Sequence, residues 1–153
     1  MSDTTAAQDL VMTRIFDAPR ELVYRAFTDP DQLAQWFGPI GWSVPRDSVS
    51  VDTRVGGYQR FVMVNDDDAS QSSPVDSMFT EVVENELLVG YEDVTGIPGF
   101  GDATRFEVRR EFHDEGDKTR LVLRQGPYTA EMEDNAREGW GSSFTKLDAL
   151  LAR

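Results

Sequence analysis

The sequence predicts an α+β domain in which a curved antiparallel sheet wraps one long C-terminal helix. Three observations predict it. The last quarter, Thr129 to Arg153, carries apolar residues at Met132, Ala136, Trp140, Phe144, Leu147 and Leu151, in steps of three or four that place them on one helical face. Upstream, short segments alternate apolar and polar residues with the period of half-buried strands. No break in composition and no internal repeat divides the chain, so residues 10–153 read as one domain behind a flexible polar arm, Met1 to Asp9. A helix gripped by such a sheet often encloses a cavity rather than a filled core.

The elements follow in order. Leu10 to Phe16 is rich enough in β-branched and apolar residues for a first strand. Asp17-Ala-Pro-Arg-Glu then starts a helix, with Pro19 suited to the first helical position and Glu21 to the positive end of the dipole. Leu22, Val23, Ala26 and Phe27 form its apolar face. Asp29-Pro-Asp starts a second short helix, capped by Asp29, with Leu33, Trp36 and Phe37 on the buried side and Gly38-Pro39 as its stop. From Val44 the period changes. Ser48–Val51 and Tyr58–Val64 read as strands flanking Gly56-Gly57, and Asn65 to Pro74 as a weakly ordered polar connection. Val75–Val83 and Leu87–Val94 form a hairpin at Glu84-Asn-Glu, Gly96 to Gly101 is a loop, and Arg105–Phe112 and Thr119–Gln125 form the last hairpin. Gly126-Pro127 closes the strand region, and Thr129 caps the long helix. The order is one strand, two short helices, six strands and a long helix, an α+β arrangement.

Composition removes several classes of function. The chain has no cysteine, which rules out disulfides, thiolate ligands and thiol catalysis. Its net charge of −13 repels phosphates and anionic lipid, so neither nucleic acid nor a membrane surface is expected as partner. No run approaches the roughly 20 apolar residues of a membrane helix, and the first nine residues lack the pattern of a signal peptide, so a cytoplasmic location is expected. His113 is the sole histidine and adjoins a polar turn, which leaves no His-based triad or zinc cluster. Asp66-Asp-Asp68 lacks the spaced ligands of a calcium loop, and Gly96 to Gly101 lacks the lysine and following helix of a phosphate cradle. No cofactor or metal is called for.

At Arg14-Ile-Phe-Asp-Ala-Pro-Arg-Glu-Leu-Val-Tyr-Arg-Ala-Phe-Thr-Asp-Pro30 and Leu33-Ala-Gln-Trp-Phe-Gly-Pro39 the chain resembles the opening signature of the SRPBCC (START-like, birch-pollen-allergen-like) superfamily. More narrowly it is similar to the bacterial branch named for homology to the activator of the ninety-kilodalton heat-shock protein ATPase. Arg54-Val-Gly-Gly-Tyr58 matches that branch's glycine pair before a strand, and Gly139-Trp-Gly-Ser-Ser-Phe-Thr-Lys-Leu147 matches its closing motif. The resemblance runs from about Val11 to Leu151 and implies a helix-grip fold, a seven-stranded antiparallel sheet around the C-terminal helix with two short helices closing one end. The acidic stretch Asp66 to Pro74 departs from the common pattern.

Large rings mark the candidate lining of a cavity: Trp36, Tyr58, Phe79, Tyr91, Phe106, Trp140 and Phe144, with Phe37, Trp42 and Phe61 beside them, although rings of this size equally build ordinary cores. The helix-grip resemblance favours lining for Trp140 and Phe144. Two charged residues fall on inward phases. Alternation along Arg105 to Phe112 sets Arg110 on the face of Phe106, Val108 and Phe112, and along Ser77 to Val83 it sets Glu81 on the face of Phe79. A buried arginine must find a carboxylate or a ligand anion, so an Arg110–Glu81 pair, a bulge or rim position for either residue, or a ligand anchor is expected.

Three functions are compatible with these residues. The first is non-catalytic binding of a hydrophobic or amphipathic small molecule between the sheet and the C-terminal helix. The second is a cyclase- or dehydratase-like enzyme on the same fold, which would need at least two of Arg110, Glu81 and Tyr91 on one cavity wall. The third is a co-chaperone-like interaction domain that docks on a chaperone, as the family's name suggests.

Overall fold

The computed structural model of the chain describes residues 8–95 and 103–152. Among these residues eight strands and three helices form: β1 (Gln8–Phe16), α1 (Arg20–Thr28), α2 (Pro30–Trp36), β2 (Trp42–Ser43), β3 (Ser50–Asp52), β4 (Tyr58–Asn65), β5 (Ser72–Val83), β6 (Leu87–Thr95), β7 (Ala103–Glu115), β8 (Lys118–Tyr128) and α3 (Ala130–Leu151). They build one antiparallel sheet in the order β1-β8-β7-β6-β5-β4-β2, with β3 also on β4. With α3 against it, this is the helix-grip α+β fold. The eighth strand beyond the expected seven is β2, whose two residues pair with Asn65 and Val64 and are too few to show an alternation in sequence.

The short helices depart in detail from expectation. Pro19 occupies the N-cap of α1 rather than its first turn, and no side chain caps it. Leu22 stands 43% exposed while Tyr24 is buried, because Tyr24 packs edge-on against Phe112 at 5.4 Å and rotates the buried face toward itself. Asp29 caps α2 as the sequence requires, its carboxylate accepting from the Asp31 N–H at 3.0 Å. Leu33 and Trp36 are buried beneath it, and the Trp36 indole N–H donates to the Ala26 carbonyl at 2.8 Å, locking the two helices together.

The connections are tighter than their composition suggests. After Asn65 the acidic segment forms a hydrogen-bonded turn. The Asn65 side chain accepts from the N–H groups of Asp67 and Asp68, and the Asp68 carboxylate accepts from Ser70, which holds its pKa below the ordinary value. The Asp66 N–H reaches the Gly41 carbonyl at 2.8 Å, and β5 already begins at Ser72. Before β4, a Cβ on Gly57 would lie 2.0 Å from the Asp52 carbonyl oxygen, so only glycine fits that close approach. Strand β8 does not stop at Gln125 but continues through the cis Gly126–Pro127 bond to Tyr128, which pairs with Gln8. Gln8 and Asp9 thus belong to β1 rather than to an arm. The rest of the expected arm, and the loop expected at Gly96 to Gly101, lie outside the described residues.

The core joins the helices to the sheet through interlocked rings. Phe27 meets Trp36 at 4.8 Å and Phe112 at 5.3 Å; Phe144 of α3 meets Phe16 edge-on at 5.3 Å and lies parallel to Trp36 at 6.3 Å. Thr129 caps α3, its hydroxyl accepting from the Met132 N–H at 3.2 Å. The apolar stripe of α3 divides in two. Phe144 and Leu147 are fully buried, whereas Met132, Ala136 and Trp140 are half-buried. Among the described residues no helix is long and apolar enough to cross a membrane.

The division of the stripe sets an order of mutational cost. Trp36→Ala removes a fully buried ring and its hydrogen bond and should destabilise the chain by about 3–5 kcal/mol. Trp140→Ala, at a half-buried position, should cost only about 1–3 kcal/mol. Urea unfolding of the two variants checks this, and equal losses would show that Trp140 is a core residue like Trp36.

Candidate functional site

Side chains on a strand alternate between faces, so the ladder registers fix what points toward α3. Near the buried half of α3 the inner face carries Phe79, Leu88, Phe112, Leu121 and Leu123, which fill the space. Toward the other end of the sheet the inner residues are Gln59, Phe61 and Met63 on β4, Val75 and Ser77 on β5, and Glu92 on β6. Phe106, Val108 and Arg110 on β7 continue the row, with Gln125 and Tyr128 on β8. Together with Ala136, Gly139 and Trp140 of α3 and with Phe37 to Pro39, they surround a cavity of about 250 Å³. The half-buried part of the α3 stripe forms its roof. The end wall is tied to the roof by the Ile40 N–H, which donates to Ser142 Oγ at 2.7 Å, and by Lys146, which donates to the Trp42 carbonyl at 3.0 Å.

The sequence-selected residues divide among three places. Phe106, Arg110 and Trp140 line the cavity. Trp36, Phe79 and Phe144 are buried in the adjoining core. Tyr58, Glu81 and Tyr91 face the other side of the sheet. There the Arg60 guanidinium lies 4.1 Å from the Tyr58 ring, and that of Arg105 lies 3.8 Å from the Tyr91 ring. Glu81 sits 3.9 Å from Arg109, not beside Arg110. The cause is a bulge: the β5–β6 register slips between Phe79 and Glu81, so Val82 rather than Glu81 returns to the core side. Of the three residues required for the enzymatic alternative, only Arg110 reaches the cavity.

Arg110 is the electrostatic centre of the site. It is 3% exposed, and no carboxylate of a described residue lies within ion-pair distance. One guanidinium nitrogen donates to Gln59 Oε1 at 3.4 Å, while Nε and Nη2 are buried without an acceptor. Burial pushes its pKa down to about 10, partly offset by the nearby Tyr24 phenol, so it remains a cation at neutral pH. Gly90 lies beside it. A Cβ there would meet the Met78 carbonyl oxygen at 2.9 Å and Arg110 Nη2 at 3.7 Å.

A second polar group faces it along β6. The β5–β6 ladder runs only to Met78↔Tyr91, and beyond that point the Asp76 N–H donates to the Glu92 carboxylate at 2.9 Å. Burial raises the Glu92 pKa, and the Asp76 charge adds to this against the opposing hydrogen bond. Tyr128 is pushed up to about 12 by burial, with the Glu92 charge adding to it, and its ring lies 5.6 Å from that of Phe106. Gln125 holds the roof: its Oε1 accepts from the Trp140 indole N–H at 2.7 Å. Glu92 and Gln59 were legible in principle, since each is in phase with an inward neighbour. Ring size drew attention instead to Tyr91 and Tyr58, one residue out of phase. Tyr128 was hidden by reading Gly126-Pro127 as the end of the strand.

Among the described residues no group of three or more acidic or histidine side chains is placed to hold a metal ion. The arrangement offers an apolar chamber with one unpaired buried cation and, farther along, a half-buried carboxyl and a phenol.

Comparison with known proteins agrees with the fold. Residues 17–152 match the family model described as Activator of Hsp90 ATPase homolog 1-like protein, and the chain belongs to that family. A crystal structure of the AHSA1 protein from Silicibacter pomeroyi is 30% identical, with 95% of this chain and 98% of that one covered and a TM-score of 0.78. A protein from Nitrosomonas europaea is 26% identical over 94% of each chain, with a TM-score of 0.77. One from Chromobacterium violaceum is 25% identical over 95% and 97%, with a TM-score of 0.80. No curated protein matches the chain.

Arg110 should be a burden to the unliganded chain. Its folded-state pKa lies below the ordinary guanidinium value, so the folded chain holds this proton less tightly than the unfolded one. The resulting cost is fully present at neutral pH, and stability from this group rises only as pH climbs above about 10. Replacing a buried charge by an apolar side chain of similar length is neutral or stabilising by about 1–4 kcal/mol. Arg110→Met should therefore raise the stability of the unliganded chain within that range. Urea unfolding at neutral pH checks it, and a marked loss would mean that Arg110 is held by partners stronger than Gln59.

Proposed function

We propose that this member of the Activator of Hsp90 ATPase homolog 1-like family holds a small hydrophobic or amphipathic molecule, without catalysis, between the sheet and its C-terminal helix. The observation that carries this reading is the cavity of about 250 Å³ beneath the half-buried part of α3, bounded largely by Phe37, Phe61, Met63, Phe106, Val108 and Trp140. Ligand sites are concave, mostly apolar and furnished with a few polar groups, and drug-sized ligands occupy roughly 300–1,000 Å³. A volume just below that range suits a compact ligand of one or two rings. Its opening toward solvent would let such a ligand enter, and its largely apolar lining supports this reading. The enzymatic alternative has less support, because Glu81 and Tyr91 lie on the opposite face of the sheet from Arg110.

The test uses a neutral probe, 1-methylnaphthalene, followed by amide chemical shifts. The largest changes should fall at Ala136, Gly139 and Trp140 and along residues 59–63. Ala136→Trp, which projects a ring from the roof into the cavity, should weaken binding at least tenfold while the chain stays folded. Shifts that are absent, or that Ala136→Trp leaves unchanged, would refute the proposal and leave a protein-docking role as the better reading.

A further inference from the structure

Arg110 and Glu92 give the cavity two polar ends, and their placement says what kind of molecule would satisfy both. Arg110 is almost fully buried, and two of its guanidinium nitrogens have no acceptor. A buried donor without a partner costs free energy that only an acceptor entering the cavity can recover, and a charged acceptor recovers most. The guanidinium lies beside the Phe79–Gly90 pair, with Nη2 3.7 Å from where a Gly90 Cβ would stand and its central carbon 6.0 Å from the Phe79 ring centre.

Glu92 is two residues beyond Gly90 along β6 and on the same face, so at about 3.4 Å per residue its backbone stands roughly 7 Å from the Gly90 position beside which the guanidinium lies. Between and around them lie rings and aliphatic groups, among them Phe61, Phe106 and Trp140. The Glu92 carboxyl accepts one backbone N–H, from Asp76, and retains capacity for another donor.

We propose that the ligand is a small aromatic hydroxy-carboxylate, whose carboxylate is received by the unpartnered Nε and Nη2 of Arg110 and whose hydroxyl, at the other end of the molecule, donates to Glu92. This rests on the cavity-binding reading and deepens it. A hydroxyl suits the Glu92 end better than an ammonium. Burial already disfavours charge there, and a hydroxyl can donate to that carboxyl in either protonation state. The Tyr128 phenol lines the same cavity and is a second polar group available to such a hydroxyl. The carboxylate end has no competitor, because no acidic side chain of a described residue forms an ion pair with Arg110.

Three probes separate the two ends: 3-(4-hydroxyphenyl)propionate, its methyl ester, and 3-phenylpropionate, which lacks the hydroxyl. Calorimetric titration of the unmodified chain should show the hydroxy acid binding about tenfold or more tightly than its ester, and about three- to tenfold more tightly than the deoxy acid. Arg110→Met should abolish the acid-over-ester preference, and Glu92→Met the hydroxy-over-deoxy preference, each leaving the other intact. The comparison among probes on the unmodified chain stands even if a variant fails to fold. Equal binding of acid and ester, or a preference that survives Arg110→Met, would overturn the anion subsite. Equal binding of hydroxy and deoxy acids would overturn the role of Glu92. Binding of 1-methylnaphthalene alongside either result would leave the cavity reading standing, whereas failure of all four probes would remove both.

Discussion

The structure depends on where α3 is gripped. Phe144 and Leu147 are fully buried, and Phe144 is clamped between Phe16 of the first strand and Trp36 of the second helix. That clamp joins the two ends of the chain. Because it acts on the C-terminal half of α3, the N-terminal half extends over the sheet as a lid fixed at one end and capped at the other by Thr129. The inner face of the sheet fills the space under the clamp with leucine and phenylalanine. Under the lid it supplies smaller and more polar side chains, Gln59, Ser77 and Gln125 among them. The cavity is the space left between a helix held straight by its hydrogen bonds and a curved sheet that touches it over only part of its length.

Within that space Arg110 is an expense the fold sustains rather than a source of its stability. A charge without an ionic partner in a buried position works against folding, and Leu or Met at the same phase of β7 would pack without that penalty. Gln59 accommodates the guanidinium by turning its amide oxygen toward the group while its amide nitrogen donates to the Phe27 carbonyl at 3.0 Å, and Gly90, where any larger residue would press on the Met78 carbonyl, lies beside it. The Gln59 amide is therefore fixed in orientation at both ends, which makes it a preorganised part of the wall. Glycine in a central strand and a buried cation are both locally unfavourable, and they occur side by side. Local rules broken together at one place are the pattern expected of a functional or strained site.

Most of the fold could be read from the sequence because its signals are periodic. The α3 stripe, the Asp29 cap, the Thr129 cap and the alternation through Phe106, Val108, Arg110 and Phe112 each survive in the structure. The site was less legible, for two physical reasons. A strand phase is binary, so an error of one residue exchanges Gln59 for Tyr58 and Glu92 for Tyr91, and ring size is no guide to phase. A bulge changes the phase midway along a strand, and the one after Phe79 turns Glu81 outward. Neither the bulge nor the passage of β8 through Gly126-Pro127 has a signature in period alone, since each is set by pairing with a neighbouring strand.

The overall charge and the charge of the cavity point in opposite directions, and their ranges decide which governs binding. At −13 the chain as a whole repels an approaching anion. That repulsion acts through water and is screened over about 8 Å at physiological ionic strength. Arg110 acts inside the protein at contact distance, where screening is weak and each unsatisfied N–H gains a partner. For the anionic ligand proposed above, the long-range field would slow encounter, and the local cation would set the strength of the complex once the anion is inside. The same division explains how one arginine can define a site in so acidic a protein. The other described arginines lie at exposed or half-exposed positions, several paired with neighbouring carboxylates such as Asp76 and Asp93 on the outer face, and such surface pairs are weak and screened. Arg110 alone, among the described arginines with ionic partners accounted for, keeps its charge where water does not already answer it.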